Sequence, residues 1–442
     1  MIDNGKGMST DDVDKSYLRY STSKINDVND LFSIKTLGFR GEALASIAAV
    51  SKLTIISKEK DQLIGKKVVI EGGTEVLNDE YGSPSGTIIE IKDLFYNTPV
   101  RKKYLKSIEI ELRHIIEVVT NYALIHPNIH FQLIHNSRTI FNSTSTNDFL
   151  ANISYIYGND VAKQMIKLNF ESELYKIYGY ISKPSLTRST KNDQSIYVNK
   201  RYIKKNKIIS DAINNAYHTL VMVNRYPVVF LNIEIDTSKI DVNVHPQKAE
   251  IRIENEQKLY EVVNDAIKNA LHKEDLTPQI KQDVEKKLDS FVNVNYESKY
   301  EVDDSKQELL INESSETYVP KLSNLKVLGI LNKTYILSEI PGNFLLIDQH
   351  AAAERILYEK FMKQIKSKDV KIQKLLKPEI LEVSSKKFLT AINNVETFKE
   401  LGFEIEEFGI NTIMVRTIPI LFGRQFDKET FLDYIDEIEK KG

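Results

Sequence analysis

The first part of the chain alternates apolar patterns of helix and strand. Residues 87–94 alternate apolar and polar side chains, which predicts a β-strand, and residues 108–123 repeat apolar positions at the helical period. His126-Pro127 ends that helix, because the residue before a proline disfavours the helical conformation. Residues 130–141 predict a hairpin that turns at Asn136-Ser137. The pattern therefore predicts a mixed unit of helices and strands.

Two further units follow the first. A second mixed unit runs from about residue 150 to 271 and closes on a helix whose apolar positions, from Leu259 to Leu271, keep the helical period. Charged and amide residues then dominate residues 273–321, which predicts a linker, partly disordered. Regular pattern returns at Leu325 and continues to a final amphipathic helix over residues 431–441.

Composition narrows the class of protein. A length of 442 residues with 41% hydrophobic content allows two to four domains. The 60 basic and 62 acidic residues nearly cancel, so contact with nucleic acid must be local. The chain has no cysteine, which excludes disulfides and thiolate metal sites within it. No signal peptide or membrane-length apolar run is present, so we expect a soluble, cytoplasmic protein without membrane contact.

A glycine-spaced acidic loop, Asp3-Asn4-Gly5-Lys6-Gly7, opens the chain. Backbone without side chains at two positions can approach a flat ring closely. An ionised aspartate accepts a hydrogen bond from an exocyclic amino group, which favours adenine over guanine. The alternative is an ordinary Asx-type turn. A calcium loop is disfavoured because the required ligand spacing is absent.

A second glycine-bearing segment, Gly38-Phe39-Arg40-Gly41, precedes a helix rich in small residues. Free backbone N–H groups at such a helix entry suit a phosphate, although the glycines could equally punctuate the chain. Between the two glycine loops, the polar segment 22–24 offers two hydroxyls and an ammonium, with a solvated loop as the alternative. These residues are Thr22, Ser23 and Lys24.

Four strings together resemble the MutL family of DNA mismatch-repair proteins. They are Asp3-Asn-Gly-Lys-Gly-Met, Thr22-Ser-Lys, Gly38-Phe-Arg-Gly-Glu-Ala-Leu and Asp93-Leu-Phe-Tyr-Asn-Thr-Pro-Val-Arg. The resemblance implies an N-terminal ATPase of the class shared with gyrase B, the heat-shock chaperone and histidine kinases (the GHKL class). It further implies that ATP with Mg²⁺ binds beside the loop at residues 38–41, that Asp3 reads adenine and that Thr87 helps hold the base.

The resemblance also predicts the domain organisation of an α+β protein. Residues 1–150 would form a partial Bergerat-type α/β sandwich, the ATPase domain, and residues 151–272 a ribosomal S5-like transducer domain. Residues 273–321 would be the linker, and residues 322–442 a partial C-terminal dimerisation and endonuclease domain. In the family a water-activating glutamate and a magnesium-holding asparagine precede the first glycine loop. Because neither is in this sequence, we expect a chain shortened at both ends, with ATP hydrolysis absent or severely impaired.

Lys248 lies in the stretch 241–252, which alternates as a strand and breaks at His245-Pro246. A lysine on such a connection can reach a phosphate as a compact point charge, although most lysines are merely solvated. The stretch resembles the MutL motif whose lysine contacts the γ-phosphate, which implies that role for Lys248.

Basic residues and two tyrosines surround a predicted tight turn in residues 197–207. Such a patch can bind DNA phosphates through charge, and a solvated charge run is the alternative. The segment resembles a family motif whose arginine, here Arg201, contacts DNA, while the glycine expected before it is replaced by Lys200. The candidate DNA-binding residues are Lys200, Arg201, Lys204 and Lys205.

A buried-looking strand runs into a helix at Asp348, and His350 and Glu354 lie four residues apart on that helix. Imidazole and carboxylate at this spacing can share a divalent ion, with a helix cap and a surface pair as the alternative. The string resembles the endonuclease motif of MutL homologues that nick DNA, ending at Glu359. It implies a partial Mn²⁺ or Zn²⁺ site for phosphodiester hydrolysis, at most weakly active without the later motifs of the family.

Two functions remain open from the sequence. The first is a MutL-type mismatch-repair protein that couples a MutS-type mismatch-recognition protein to strand incision, acts on mismatched DNA and forms a homodimer through its C-terminal domain. The alternative is a non-catalytic DNA-binding or scaffolding fragment. Nucleotide hydrolysis and DNA nicking, or their absence, distinguish the two.

Overall fold

A computed structural model provides the fold. It describes residues 1–21, 41–204, 206–236, 240–241, 252–253, 255–273, 325–331, 334–340, 343–367, 370–420 and 428–441. The predicted linker lies outside these ranges except for Lys273, and so do the phosphate-site residues 22–24, 38–40 and 248 and the DNA-site residue Lys205.

The first unit is a five-stranded antiparallel sheet with two helices. Its strands are β1 (Ile2–Asp3), β2 (Lys52–Lys58), β3 (Gly65–Glu71), β4 (Thr74–Tyr81) and β5 (Gly86–Lys92), in the order β1-β5-β2-β3-β4. The helices are α1 (Thr10–Ser16) and α2 (Ala43–Ala48). Alternate residues of β2 are buried, as a strand with one covered face requires. Leu53 and Ile55 thereby join Val13 of α1 and Ala48 of α2 in one core.

A long helix leaves the first unit and leads into the second. The elements here are α3 (Pro99–Lys102), α4 (Ile108–Ile125), β6 (Gln132–His135), β7 (Arg138–Asn142), α5 (Phe149–Tyr157) and α6 (Asn159–Ala162). The predicted helix is confirmed and ends two residues later than expected. The predicted hairpin turn is also confirmed, since Asn136 and Ser137 have φ of +48° and +63°, as a two-residue type I′ turn needs.

The second unit is built on another five-stranded sheet, in the order β12-β11-β14-β9-β8. Its elements are β8 (Met165–Glu171), β9 (Tyr175–Ser182), β10 (Thr187–Arg188), β11 (Gln194–Val198), β12 (Arg201–Ile203), α7 (Lys207–Tyr217), β13 (Tyr226–Pro227), β14 (Val229–Ile235), β15 (Ile240–Asp241), β16 (Arg252–Ile253) and α8 (Glu256–Lys273). Strand β14 is almost entirely buried, because both faces of the sheet are covered.

Two cores lie on opposite faces of this sheet. Helices α7 and α8 pack on one face, where Ile213 and Ile267 meet Leu231. The end of α4, the β6–β7 hairpin and α5 cover the other face around Tyr197 and Phe230. The Tyr197 hydroxyl donates to the Asn121 carbonyl of α4 at 2.9 Å. The C-terminal half of α4 is therefore packed on the second sheet, and the domain boundary predicted at residue 150 falls within this packing.

The third unit contains two three-stranded antiparallel sheets, β17-β18-β19 and β20-β22-β21. Its elements are β17 (Lys326–Leu331), β18 (Tyr335–Ile340), β19 (Asn343–Asp348), α9 (Gln349–Lys366), β20 (Ile372–Glu382), α10 (Ser385–Asn393), α11 (Val395–Glu400), β21 (Glu404–Gly409), β22 (Thr412–Pro419) and α12 (Lys428–Lys441). An aromatic cluster of Phe398, Phe403 and Phe431 holds α11 and α12 against the second of these sheets. The final helix is confirmed, and the described residues have the expected mixed α+β character.

Candidate nucleotide, DNA and metal sites

Asp3 and Thr87 lie side by side in the first sheet. Strand β1 pairs antiparallel with β5 so that Asp3 is the register partner of Thr87. The Gly5 N–H donates to Asp3 Oδ1 at 2.9 Å. The loop therefore forms the Asx-type turn that the sequence left open, and this turn holds one oxygen of the carboxylate on the residue that pairs with Thr87.

A buried serine connects this pair to the rest of the sheet. Ser57 Oγ on β2 accepts the Met8 N–H at 2.9 Å and lies 3.0 Å from the Gly86 carbonyl oxygen and 3.1 Å from Thr87 Oγ1. A hydroxyl has one proton, and the Gly86 carbonyl can only accept. If the Ser57 proton goes to Gly86, the Thr87 proton must go to Ser57. The Thr87 oxygen then keeps lone pairs for an external donor.

Two glycines allow the strands to approach one another at this point. Gly7 has φ of +75° and a Cβ there would lie 2.0 Å from the Lys58 carbonyl oxygen. Gly86 has φ of +116° and a Cβ would lie 2.1 Å from the Asp3 carbonyl oxygen. Any side chain at either position would push the loop away from the sheet. The glycines thus place the Asp3 carboxylate.

The segment that follows β5 braces the end of α2. Asp93 and Phe95 both adopt positive φ, +50° and +64°. The Phe95 N–H donates to the Val50 carbonyl at 2.7 Å, and Asn97 Nδ2 donates to the Ala49 carbonyl at 2.9 Å. This part of the resemblance motif therefore acts structurally, by fixing the connection between α2 and β2.

The predicted phosphate side of the pocket lies mostly outside the described residues. Gly41, at its edge, has φ of +62°, and a Cβ there would lie 2.2 Å from the Ser21 carbonyl oxygen. Helix α2 begins at Ala43, two residues after Gly41. The described residues thus place one end of the predicted glycine loop next to residue 21, and the roles of residues 22–24, 38–40 and 248 stay predictions.

The predicted DNA turn is a type I′-like turn between β11 and β12. Asn199 and Lys200 have φ of +48° and +63°. The Asn199 side chain donates to the Ile235 carbonyl and accepts the Ile235 N–H, both at 2.9 Å. The Lys200 N–H donates to Asn232 Oδ1 at 3.0 Å. Neighbouring amides therefore hold the turn although a lysine occupies a position that glycine would adopt without strain.

The candidate DNA-binding side chains differ in their surroundings. Lys200 is exposed at the tip of the turn, whereas Arg201 is half-buried and burial lowers the pKa of its guanidinium. Lys204 Nζ lies 3.2 Å from Glu117 Oε1 on α4. A surface cavity of about 540 Å³ beside Lys200 is also lined by His126 and Lys167. The exposed positive charge is therefore centred on Lys200.

The candidate metal residues begin at the end of β19. Asp348 Oδ1 accepts the Ala351 N–H at 3.2 Å, so Asp348 caps α9. The side chains of His350 and Glu354 lie outside the described part of the structure. Arg355 Nε donates to Glu359 Oε1 at 2.8 Å. A continuous helix turns about 100° per residue, so position 359 lies about 180° around α9 from position 350. The helix therefore separates Glu359 from His350.

No group of three or more His, Asp or Glu side chains arranged to hold a metal occurs among those described. No helix within the described ranges is long and apolar enough to cross a membrane.

Comparison with known proteins decides the family. A DNA mismatch repair protein from Clostridium acetobutylicum, MutL, is 35% identical over 100% of this chain and 80% of its own length. This chain belongs to the MutL family. The MutL of Thermoanaerobacter sp. strain X514 is 37% identical over 99% of this chain and 79% of its own.

Family models and a solved structure agree with this MutL assignment. The model described as the C-terminal domain of DNA mismatch repair proteins matches residues 153–272, and the model of the MutL C-terminal dimerisation domain matches residues 328–442. A solved N-terminal domain of a DNA repair protein is 27% identical, with a TM-score of 0.51, over 62% of this chain and 85% of that one. The chain is thus a mismatch-repair protein of MutL type.

Sequence reasoning missed some residues of the MutL candidate sites. Ser57 gave no signal, because a serine on the covered face of an otherwise regular strand fits no motif. Asn199 stood inside the resemblance motif, but its side chain bonds to Ile235, and the adjacent Lys200 N–H donates to Asn232; both partners lie more than 30 residues away. Only the register of the sheet brings these residues together.

Proposed function

We propose that this MutL-family chain binds ATP at the Asp3 site and uses the nucleotide to couple mismatch recognition by a MutS-type protein to strand incision. The observation that supports ATP is the register pairing of Asp3 with Thr87. With the Gly5 N–H on Oδ1, the second carboxylate oxygen is available to accept the adenine amino group. The Thr87 hydroxyl, whose proton is directed to Ser57, would accept a second hydrogen bond from the nucleotide at the same edge.

The remaining parts of the nucleotide would extend toward the loop that ends at Gly41. Lys248, Thr22, Ser23, Lys24 and the residues Gly38, Phe39 and Arg40 are the proposed phosphate contacts, with Lys248 at the γ-phosphate. Mg²⁺ would accompany the triphosphate and neutralise its charge. The pairing of Asp3 with Thr87 supports nucleotide binding.

A binding titration tests the nucleotide site. Asp3→Asn replaces an accepting oxygen by a donating amide that faces the adenine amino group, and a hydrogen bond to a charged group contributes about 1.5–3 kcal/mol. We expect ATP affinity to fall by about tenfold to a hundredfold. Asp11→Asn on α1 removes an equally exposed carboxylate and is the matched control. Equal ATP affinity for the parent chain and Asp3→Asn would refute the site.

We also propose that DNA binds across the β11–β12 turn. Lys200 projects from the tip, and Lys167 lines the adjacent cavity. Burial and the charge of Lys200 lower the pKa of His126, which lines that cavity as well. Arg201 and Lys204 would support the surface from a half-buried position and from the pair with Glu117, and Lys205 would extend it. Contacts of this kind read phosphates rather than base sequence.

Charge reversal at the turn tests the DNA surface. Lys200→Glu should weaken binding to any duplex at low salt and reduce the slope of log affinity against log salt by about one unit or more. Lys258→Glu makes the same charge change at an exposed position on α8. An effect of equal size for the two variants would show that total charge, and not the turn, governs binding.

A metal-dependent nicking site at the start of α9 is a further proposal. Asp348, His350 and Glu354 supply oxygen and nitrogen donors that suit Mn²⁺ or Zn²⁺, and a bound ion would activate water for phosphodiester hydrolysis. Glu359 completes the motif, but position 359 lies about 180° around α9 from position 350, so we infer that Glu359 acts outside this ligand set. Calorimetric Mn²⁺ titration should show binding that Glu354→Gln removes and Glu359→Gln retains. Retained binding in Glu354→Gln would exclude this ligand set.

A homodimer through the third unit is proposed from the matched dimerisation domain and from its first sheet. Strands β17 and β19 leave apolar side chains exposed, among them Ile330 at 62% and Phe344 at 61%. Exposed apolar patches on soluble proteins commonly mark association surfaces. Phe344→Lys should shift the sedimentation of the chain from dimer to monomer, and an unchanged dimer would place the interface elsewhere.

A non-catalytic scaffold of MutL type is the second candidate. It is favoured by the Asp348 cap and the Arg355–Glu359 pair, which are ordinary helix-stabilising contacts. Supercoiled DNA that stays intact with Mn²⁺ would support the scaffold, whereas nicking abolished by Asp348→Asn would exclude it.

A further inference from the structure

Charged residues of the third unit meet opposite charges of the second unit at several points. Arg138 on β7 pairs with Glu407 on β21, and Lys428 on α12 pairs with Asp160 on α6. Arg225 pairs with Asp433 of α12. The signs of the charges alternate between the two sides, so the two surfaces are complementary at each of these contacts.

The centre of this surface is a buried row of four charges. Arg188 Nε lies 3.2 Å from Asp193 Oδ2, and Lys387 Nζ lies 3.6 Å from the same oxygen. Lys387 also bonds to Asp436 of α12. The two residues that meet across the surface are almost inaccessible, Asp193 at 8% and Lys387 at 6% exposure.

Each unit contributes one positive and one negative charge to the row, so the charges of each unit balance without the other unit. Arg188 and Asp193 belong to the second unit, and Lys387 and Asp436 belong to the third. Separation of the units would therefore leave two compensated ion pairs rather than isolated buried charges, which are the costly case. The arrangement is suited to a contact that forms and releases.

Apolar and main-chain contacts complete the surface. Leu389 of α10 packs against the core formed by Leu112, Ile116 and Ile140. The Asn159 N–H donates to Glu382 Oε2 at 3.0 Å. A Cβ on Gly158 would lie 3.0 Å from Cβ of Glu382, so glycine permits this close approach. The contact area therefore spans α4, the β6–β7 hairpin and α6.

We propose that residues 370–420 and 428–441 dock reversibly on the second unit through this surface, which we call the ionic docking surface, and that the chain exchanges between a docked and an undocked arrangement set by ionic strength. The exposed apolar side chains of β17 and β19 lie outside it, so docking and association through that sheet use different faces. The inference does not depend on nucleotide or DNA binding.

Thiol cross-linking of the whole chain measures the docked arrangement. The sequence has no cysteine, so only introduced thiols react. Tyr155 and Ile410 are 55% and 59% exposed and line one cavity of about 800 Å³ between the two units. The Tyr155→Cys, Ile410→Cys chain should cross-link within single molecules by a short bis-maleimide at low salt, and the rate should fall as salt screens the charges.

Charge exchange at the docking surface gives the decisive comparison. Glu407→Lys with Lys428→Glu keeps the net charge but sets like charges against Arg138 and Asp160, and the cross-linking rate should fall about tenfold or more. Adding Arg138→Glu and Asp160→Lys restores opposite charges and should restore the rate.

Glu396→Lys with Lys399→Glu is the matched control. It makes the same exchange at exposed positions of α11 and should leave the rate unchanged. Thermal unfolding of each variant verifies that both units are folded. Three outcomes would each overturn the proposal. The parent chain and the Glu407→Lys, Lys428→Glu variant could cross-link at equal rates, the fourfold variant could fail to recover the rate, or cross-links could form only between separate molecules.

Discussion

Residues of the proposed nucleotide site could be assigned from the sequence only where they stand in a recognisable motif. Asp3 and Thr87 were assigned from such strings, and the structure makes them register partners. Ser57 was not predictable, because its role arises from three partners brought by the β1–β5–β2 pairing. A site residue can thus be identified from its local sequence, whereas the residue that holds it in place is identified only from the strand pairing.

The close approach of the chain at Gly86 can be tested by substitution. Gly86→Ala adds a Cβ 2.1 Å from the Asp3 carbonyl oxygen at a φ of +116°, a conformation that costs a non-glycine residue about 1–3 kcal/mol. We expect a lower free energy of unfolding and loss of ATP binding, measured by denaturant titration and calorimetry. Gly82→Ala is the control, since a Cβ there meets no atom within 4 Å. Equal stability of the two variants would contradict the close approach.

Helices and strands with strong periodicity were predicted well. The helix over residues 108–123, the Asn136-Ser137 hairpin and the final helix are all confirmed, because amphipathic period and turn residues are local signals. Hydrophobic periodicity does not show which other element a helix or strand packs against. Helix α4 lies in the predicted first domain, yet its C-terminal half packs on the second sheet through Ala123 and Leu124.

The β11–β12 turn places Lys200 in a strained backbone conformation, and this strain can be tested. Lys200 has a φ of +63°, which costs a non-glycine residue about 1–2 kcal/mol of strain that glycine avoids. Glycine in turn loses about 0.5–1 kcal/mol of stability because its unfolded chain is more flexible. Lys200→Gly should therefore raise the free energy of unfolding by roughly 0.5–1 kcal/mol by the same balance.

A second turn provides the control for Lys200→Gly. Ser137→Gly acts on a residue of the same φ, +63°, and should have a similar effect on stability. Only Lys200→Gly should also weaken DNA binding, because it alone removes a charge from the proposed surface. A stabilised Ser137→Gly variant together with a destabilised Lys200→Gly variant would show that the lysine side chain supports the turn.

At the scale of the whole molecule, the sequence indicated three units but not their contacts. The pairs Arg138–Glu407 and Lys428–Asp160 join residues 269 and 268 positions apart, and each side chain alone reads as an ordinary solvated charge. Only the folded arrangement shows that these charges are complementary. Lys387 and Asp193, a buried pair, were likewise invisible to pattern.

The pH dependence of stability follows from the two carboxylates around Lys387. Burial would raise the pKa of Asp193, but the charges of Lys387 and Arg188 outweigh it and hold that pKa below its ordinary value. Burial raises the pKa of Asp436 to about 6, against the opposing effect of Lys387. A carboxyl with a raised pKa stabilises the fold at low pH, and this contribution is lost as pH rises through the raised value.

Asp436→Asn tests this assignment. Between about pH 4 and pH 6 the parent chain should lose stability as Asp436 ionises, whereas the variant should not. The melting temperature of the variant relative to the parent should therefore rise across that window. Glu437→Gln removes a 51% exposed carboxylate from the same helix and controls for charge. A melting difference for Asp436→Asn that is constant or falls with pH would contradict the raised pKa.

Recognition of adenine by the Asp3–Thr87 edge of this MutL-family protein is the proposal on which the nucleotide site depends. Adenine presents an amino donor at the edge where guanine presents a carbonyl oxygen, which a carboxylate repels. Competition between ATP and GTP for the whole chain measures this directly. We expect at least about tenfold tighter binding of ATP than of GTP, and loss of that preference in Asp3→Asn. Equal binding of the two nucleotides, or a preference that survives Asp3→Asn, would contradict it.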